Sequence, residues 1–437
     1  MPQNLTRRGF LGAAGAGIAT AALSGCGFAP ADSGGGAANN ALTFRWWGGN
    51  ARNDAYQKAV KIFTEKSGIA VTTQYSGYDG YFDKLNTEFA GGNPPDIFQM
   101  DTALVSTYAG RGVLTDLASY VPGTIGLDTL YAPLRGAGAV KGKTYGVPSG
   151  SGYAPVLYDQ TVLEQLKIPV PSDEWTWQDF ATITGEVAKA WGPGKYGAVD
   201  ASKDDSGALQ PWLRQRGKDL YTTDQVLGFG PDDLTEWFTF WEGLRKTGAI
   251  CPPTLLASTD AATGNHPLIA GQVAMVTGWG IAQMQPLTQH KLKVVVIPRG
   301  ADGKTGEALN GGVLLCIPVK SQNPAGAAKL IDFFVNDVDA IKTMGLQRGL
   351  PPSDKAKNTL SPTITAAENA DVTYGEYVAA QVVKDALPAA PTAPPGYGDV
   401  KSALDSAAKQ IAFGKVTIAA GVTQFFSDAK TALANAK

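Results

Sequence analysis

The stretch IAVTTQYSGYDGYFDKLNTEFAGGNPPDIFQM, residues 69–100, contains the pattern that determines the fold class. Its apolar residues alternate at 69–75, follow a helical period at 81–89, and form a short strand-like run at 96–100, after the breaker GGNPP. The elements predicted around and within it are strand 42–47, helix 54–67, strand 69–75, helix 81–89, strand 96–100 and helix 102–109. Strands that alternate with helices through short loops predict an α/β domain with a mainly parallel sheet.

The same alternation resumes in the second half of the chain. Thr176 is a plausible N-cap for a helix that begins with the aromatic segment WTWQDF. The other predicted elements are strands 145–148, 156–159, 273–276, 292–297 and 313–317, helices 160–166, 236–246 and 325–335, and a helical region from 351 that is broken at 388–395. The chain is long enough for two domains, each with its own core.

The N-terminus has the form of an export signal. Thr6-Arg7-Arg8-Gly9-Phe10-Leu11 precedes an apolar, small-residue run that ends in Leu23-Ser24-Gly25-Cys26. A membrane helix is the alternative, but residues 9–25 are short and glycine-rich for a span of about 20 apolar residues. We therefore expect residues 1–25 to be a twin-arginine signal peptide with a lipobox, with Cys26 lipidated and residues 26–41 a flexible tether.

Composition excludes several classes of partner. The net charge is −2, and only 17% of residues are charged, which argues against a nucleic-acid surface.

The two histidines, His266 and His290, belong to no Cys/His cluster with metal-ligand spacing, so no metal site is expected. Cys251 and Cys316 could pair in an oxidising compartment, but Cys316 lies in a buried-strand pattern, so two free thiols are favoured.

A set of short motifs occurs in one order from residue 44 to residue 352. They are FRWWGG at 44–49, GGNPPDI at 91–97, GVLTDL at 112–117, GKTYGVP at 142–148, LYD at 157–159, WTWQDF at 175–180, IAGQVAM at 269–275, GWG at 278–280, SQNPAGAA at 321–328 and GLPP at 349–352. This set resembles the extracellular solute-binding proteins of carbohydrate ABC transporters, the family that contains maltose-binding protein. Asp159 departs from it, because the family usually has Asn after the Tyr of the LYD motif.

The resemblance implies an α/β protein with two lobes, several hinge crossings and a ligand cleft between the lobes. It places lobe one at 42–148 and 299–346, and lobe two at 150–297 and 349–437. It also implies a sugar or oligosaccharide ligand, the permease subunits of an ABC transporter as partners, no cofactor, and a monomer held at the outer face of the cell membrane by lipidated Cys26. In open α/β sheets, ligands independently favour the carboxyl ends of strands.

A sugar site needs planar polar side chains and an aromatic platform, and loops after strands supply both. The resemblance implies that Asp101 accepts from two hydroxyls and that Trp279 stacks on the sugar. The candidate ligand-binding residues are Trp47, Gly49, Asn50, Tyr78, Asp101, Ser151, Tyr153, Trp279, Asn310, Gly311 and Arg348. The alternatives are that Asp101 caps helix 102–109, that Trp279 fills a core, and that Trp46 rather than Trp47 faces the cleft.

Two other functional classes were weighed against a sugar-binding protein. An exported hydrolase is one, but no Gly-x-Ser-x-Gly motif is present, and neither histidine lies beside a nucleophile in the sequence. A pair of glycosidase carboxylates leaves no signature that a single sequence reveals. The other alternative is a glycerophosphodiester, polyamine or peptide ligand. A phosphate group usually requires several arginines, and Arg348 is the single candidate among the site residues.

Overall fold

The computed structural model describes residues 41–78, 80–256, 266–308, 311–388 and 390–436. The predicted signal peptide, Cys26, the tether up to residue 40, and Asn310 therefore lie outside the described residues. Ala41, which was assigned to the tether, is the first residue of a strand. None of the described helices has both the length and the apolar composition of a membrane span.

Each predicted strand has a counterpart in the structure. In chain order the strands are β1 (Ala41–Trp47), β2 (Ala70–Ser76), β3 (Ile97–Asp101), β4 (Ala139–Val140), β5 (Lys143–Thr144), β6 (Val147–Pro148), β7 (Val156–Asp159), β8 (Tyr196–Ala198), β9 (Val273–Thr277), β10 (Leu292–Val295) and β11 (Val313–Cys316). Of these, β4, β5 and β8 are strands that the sequence did not predict.

The helices cover both sheets and form most of the C-terminal third. They are α1 (Asn50–Ser67), α2 (Tyr81–Ala90), α3 (Val105–Gly110), α4 (Gln160–Leu166), α5 (Trp177–Trp191), α6 (Gln210–Arg214), α7 (Pro231–Thr247), α8 (Pro253–Leu256), α9 (Ile281–Met284), α10 (Pro324–Asn336), α11 (Val338–Met344), α12 (Asp354–Leu360), α13 (Ala366–Lys384), α14 (Tyr397–Ala412) and α15 (Ile418–Asn435).

The first sheet has the order β2-β1-β3-β11-β6. β1 pairs in parallel with β2 and β3, and β11 runs antiparallel to both β3 and β6. The sheet is therefore not wholly parallel as predicted, because β11, which lies more than 200 residues after β3 in the sequence, pairs with β3 in the antiparallel direction. Both faces are covered: Phe44, Trp46 and Phe334 lie in one core, while Trp47, Tyr81 and Phe98 lie in another.

The second sheet has the order β10-β7-β9-β8. β7 pairs antiparallel with β9 and β10, and β8 pairs in parallel with β9. The largest core packs one face of this sheet against α5, α7, α14 and α15, and Trp237 and Trp241 are completely buried within it. The aromatic stripe of α7 is thus core material, as its helical spacing predicted.

Helix boundaries differ from the sequence predictions where the first turn is polar. α1 begins at Asn50 rather than at residue 54, and α7 begins at Pro231 rather than at residue 236. These added turns carry few buried apolar residues, so hydrophobic periodicity gave no signal for them. Thr176 does cap α5 as predicted, in a capping box with Asp179.

The chain passes between the predicted lobes near residue 149 and again near residues 347–348, and these two crossings pair with each other. Ser151 and Leu350 exchange both backbone hydrogen bonds, at 2.9 and 2.8 Å. A Cβ on Gly150 would lie 2.1 Å from the Arg348 carbonyl oxygen, and Gly349 has a φ of +103°. These two glycines allow the two chain crossings to run side by side.

Candidate functional site

An open pocket of about 350 Å³ lies between the core of the first sheet and the largest core of the second. Loops after β3 and before β11 form one wall, and the approach to α6 and the start of α14 form another. Its polar lining residues are Thr102, Ser206, Gln210, Tyr221, Glu307, Thr392 and Tyr397. The volume and the mixed lining are typical of a small-molecule site.

On the side of the first sheet, the predicted residues Trp47, Tyr78 and Asp101 are contiguous. The Tyr78 hydroxyl donates to Asp101 Oδ2 at 3.0 Å, and the rings of Trp47 and Tyr78 meet edge-on with centroids 5.5 Å apart. Trp47 is only 8% exposed, whereas Tyr78 is 51% exposed. Tyr78 therefore provides the accessible aromatic surface, and the buried ring of Trp47 packs against it.

Asp101 does not cap a helix, so the alternative role considered for it is wrong. α3 begins at Val105, after Leu104, and not at residue 102. Asp101 Oδ1 instead accepts from the Ala103 backbone N–H at 2.9 Å, which closes an Asx turn at the end of β3. This turn leads into Thr102 and Ala103, which line the pocket. Asp101 therefore lies next to the pocket.

On the opposite wall, Tyr397 is held by the buried carboxylate of Asp205. Its hydroxyl donates to Asp205 Oδ2 at 2.8 Å, and Lys401 Nζ lies 3.3 Å from Asp205 Oδ1. Burial raises the pKa of the Tyr397 phenol, and the negative charges of Asp205 and, to a smaller extent, Asp101 add to this. The phenol therefore stays protonated, with its ring fixed at the start of α14.

Glu307 is a buried carboxyl group on the pocket wall and is 1% exposed. Its Oε1 accepts from the Ile297 N–H at 3.2 Å and from the Tyr374 hydroxyl at 3.0 Å. Oε2 has no hydrogen-bond partner among the described residues. Burial raises the pKa of Glu307 to about 7, against the smaller opposing effects of these hydrogen bonds and of Arg299.

Ser151 and Arg348 lie in the hinge. Besides its backbone pairing, Ser151 has a buried hydroxyl 3.3 Å from the Leu350 carbonyl oxygen. Arg348 is 6% exposed, and it donates to the Phe334 carbonyl oxygen at 3.0 Å while its guanidinium lies over the Phe334 ring. In this structure both side chains hold the chain crossings in place; their role in ligand binding stays a prediction.

Tyr153 and Trp279 lie outside the lining of the pocket. Tyr153 packs edge-on against Tyr374, with ring centroids 6.1 Å apart, and so touches the residue that binds Glu307. Trp279 follows β9 and packs edge-on against His266 at 5.7 Å. It precedes α9, whose first backbone N–H groups donate to Asp371. Contact of Trp279 with a ligand stays a prediction.

The remaining predicted residues within the described part of the chain are Gly49, Asn50 and Gly311. Gly49 and Asn50 are exposed at the start of α1. Gly311 lines the pocket, and a Cβ there would lie 2.7 Å from the Ala137 Cβ, so only glycine fits without a shift. Of the residues chosen from the sequence, Gly311 is thus within the lining and Asp101 adjoins it.

Sequence reasoning did not identify Glu307, Gln210, Tyr221 or Tyr397 as lining residues. Glu307 lies close before the Asn310-Gly311-Gly312 segment that was identified, and that proximity was its one available signal. Tyr397 follows a proline-rich stretch that predicted only a break in the helices. These residues come together from separate parts of the chain, which no local pattern reveals.

The chain matches the family model described as bacterial extracellular solute-binding protein over residues 58–373. It is 27% identical over 238 residues to an uncharacterised lipoprotein in the oleD 5′ region of Streptomyces antibioticus, a match that covers 52% of each chain. It is 28% identical over 158 residues to the diacetylchitobiose binding protein DasA of Streptomyces coelicolor, which covers 36% of each. The chain thus matches about half or less of the length of these curated relatives.

Among solved structures, a family 1 extracellular solute-binding protein from Alicyclobacillus acidocaldarius superposes with a TM-score of 0.70 at 27% sequence identity. The match covers 90% of this chain and 98% of that one. The similarity in fold therefore extends over both sheets and the helices that cover them.

Proposed function

Because the chain belongs to the bacterial extracellular solute-binding proteins, we propose that it captures a sugar or oligosaccharide and delivers it to an ABC importer. The observation that carries this proposal is the pocket between the two cores, which is lined by hydroxyl, amide and carboxyl groups from both sides. Such groups match the alternating donors and acceptors of a sugar. The name of the diacetylchitobiose-binding relative supports the same ligand class.

In this proposal the ligand is held between the predicted lobes, 42–148 with 299–346 and 150–297 with 349–437. Asp101 and Tyr78 would bind it from the first lobe. The paired crossings at Ser151 and Leu350 form the hinge about which the lobes close. Residues 299–307 were predicted to belong to the first lobe, but they contact α6 and α13: Arg214 donates to the Gly306 carbonyl oxygen, and Tyr374 donates to Glu307. We therefore propose that this segment moves with the second lobe.

We also propose that the protein acts outside the cytoplasm, anchored to the membrane by lipidated Cys26. The twin-arginine pattern and the lipobox support this, and one curated relative is named as a lipoprotein. The tether after Cys26 would let the folded body reach the permease while it remains at the membrane surface.

The experiment is calorimetric titration of the mature protein against mono-, di- and oligosaccharides, with glycerophosphodiesters, spermidine and peptides as competing classes. We expect saturable binding of at least one sugar without chemical change of the ligand. Binding of a competing class alone would refute the sugar assignment. Turnover of glycosides by the purified protein would instead support the hydrolase alternative.

A further inference from the structure

The pocket carries an unusual charge distribution. Among its described lining residues, Glu307 is the one with a charged side chain, and the others are apolar, hydroxyl or amide residues. A ligand in this pocket would therefore lie beside a carboxyl group. None of the described lining residues is a cation. Glu307 is therefore the described lining residue best placed to select ligands by charge, and Asp101 next to the pocket carries a charge of the same sign.

The two oxygens of Glu307 differ in their surroundings. Oε1 accepts from the Ile297 N–H and the Tyr374 hydroxyl, while Oε2 is buried and has no partner in the part of the chain that the structure describes. A buried polar atom without a partner costs free energy, so native proteins satisfy such atoms or reserve them for a ligand. A donor from a bound molecule would remove that cost.

Arg299, the cation that lowers the pKa of Glu307, is held by other partners. Arg299 donates to the carbonyl oxygens of Asp173 and Gly303, both at 2.7 Å, and to the Tyr377 hydroxyl at 3.1 Å. Its ion pair is with Glu174, at 3.3 Å. Within the described ranges, the carboxyl group of Glu307 thus lies on the wall of the pocket without an ion pair.

We propose that Glu307 Oε2 accepts a hydrogen bond from a hydroxyl of an uncharged sugar in this pocket, and that the same carboxylate excludes sugars that carry carboxylates. The inference rests on the proposed function and names its substrate class. A hydroxyl supplies the missing donor, whereas a uronate would place a second negative charge beside a carboxylate that has no ion pair among the described residues. Such unfavourable pairing is an effective source of specificity.

The test compares galactobiose and N,N′-diacetylchitobiose with digalacturonic acid as probes in calorimetric titrations at pH 7.5. The wild-type protein should bind at least one neutral disaccharide at least tenfold more tightly than digalacturonic acid. Glu307→Gln removes the charge but keeps the shape, so it should weaken the neutral probe about tenfold and reduce this preference. Glu65→Gln, which changes an exposed carboxylate on α1, is the matched control and should match the wild type.

Equal or tighter binding of digalacturonic acid by the wild type would overturn the inference, and this comparison requires no variant to fold. Wild-type affinity of Glu307→Gln for the neutral probe would overturn it as well. In either case the protein still binds a sugar, so the proposed function stands. Failure of every sugar in the wider panel to bind the wild type would refute the proposed function, and the inference with it.

Discussion

Glu307→Gln should also change how the stability of the ligand-free protein depends on pH. Burial raises the pKa of Glu307 from 4.5 to about 7 in the folded protein. The folded state therefore binds more protons than the unfolded state between these values, and stability falls as pH rises through this window. At 1.36 kcal/mol per pH unit, the ionised carboxyl costs roughly 3 kcal/mol above pH 7, and nothing below pH 4.5.

Glutamine has no proton to lose in this range, and its amide oxygen can still accept from Ile297 and Tyr374. Relative to the wild type, the variant should therefore gain roughly 3 kcal/mol of unfolding free energy between pH 4.5 and pH 8. The assay is urea unfolding of both proteins at half-unit steps of pH. Comparing the two proteins cancels titrations that do not depend on Glu307. The pKa values of Tyr153 and Tyr374 are raised by burial and by Glu307, so both phenols stay protonated over this range in either protein.

The Glu65→Gln control should show no such trend, because that carboxylate is exposed. A difference between Glu307→Gln and the wild type that stays constant from pH 4.5 to pH 8 would refute the reasoning. It would mean that Glu307 ionises at its ordinary pKa, and that the folded protein already compensates its charge.

Four further predictions concern binding, the hinge and the anchor. Asp101→Asn should bind the sugar at least tenfold more weakly, a loss of about 1.4 kcal/mol or more, with little change in melting temperature, because Asn keeps the acceptor for Ala103. Trp279→Ala should weaken binding by about 2–4 kcal/mol in the same titrations, the range of a stacking hot spot. Gly349→Ala should lower stability by about 1 kcal/mol or more in thermal unfolding, because φ is +103° and the new Cβ would lie 2.5 Å from the Ser151 carbonyl oxygen. Cys26→Ala should abolish lipidation, so the protein should leave the detergent phase in phase partitioning.

Each of these has an outcome that contradicts it. Wild-type affinity of Asp101→Asn for the sugar would show that the carboxylate only closes the turn with Ala103. Unchanged affinity in a folded Trp279→Ala protein would make Trp279 a packing residue beside His266. A Gly349→Ala protein with the melting temperature of the wild type would show that the hinge backbone accommodates the new Cβ at no cost in stability. Retention of Cys26→Ala in the detergent phase at the mature mass would exclude the lipoprotein assignment.

The aromatic pair at the end of β1 shows where sequence reasoning stops. Alternation along a strand places Trp46 and Trp47 on opposite faces, and the sequence predicted that much. Both faces of this sheet are covered, so alternation does not say which face adjoins the ligand. In the structure Trp46 is completely buried against Phe44 and Tyr56, and Trp47 is the one that supports Tyr78.

What the sequence by itself determined is local: the strand–helix alternation, the Thr176 cap on α5, and the burial of Cys316 within a strand. It also favoured free thiols at Cys251 and Cys316, which the structure confirms. Periodicity, capping and composition act over a few residues, so they can be recognised without the fold. Only the tertiary structure decided that Glu307 and Tyr397 share a pocket with the loop after Asp101. The reason is that burial of Glu307 and the orientation of Tyr397 depend on Tyr374 and Asp205, which lie far from them in the sequence and near them only in the folded protein.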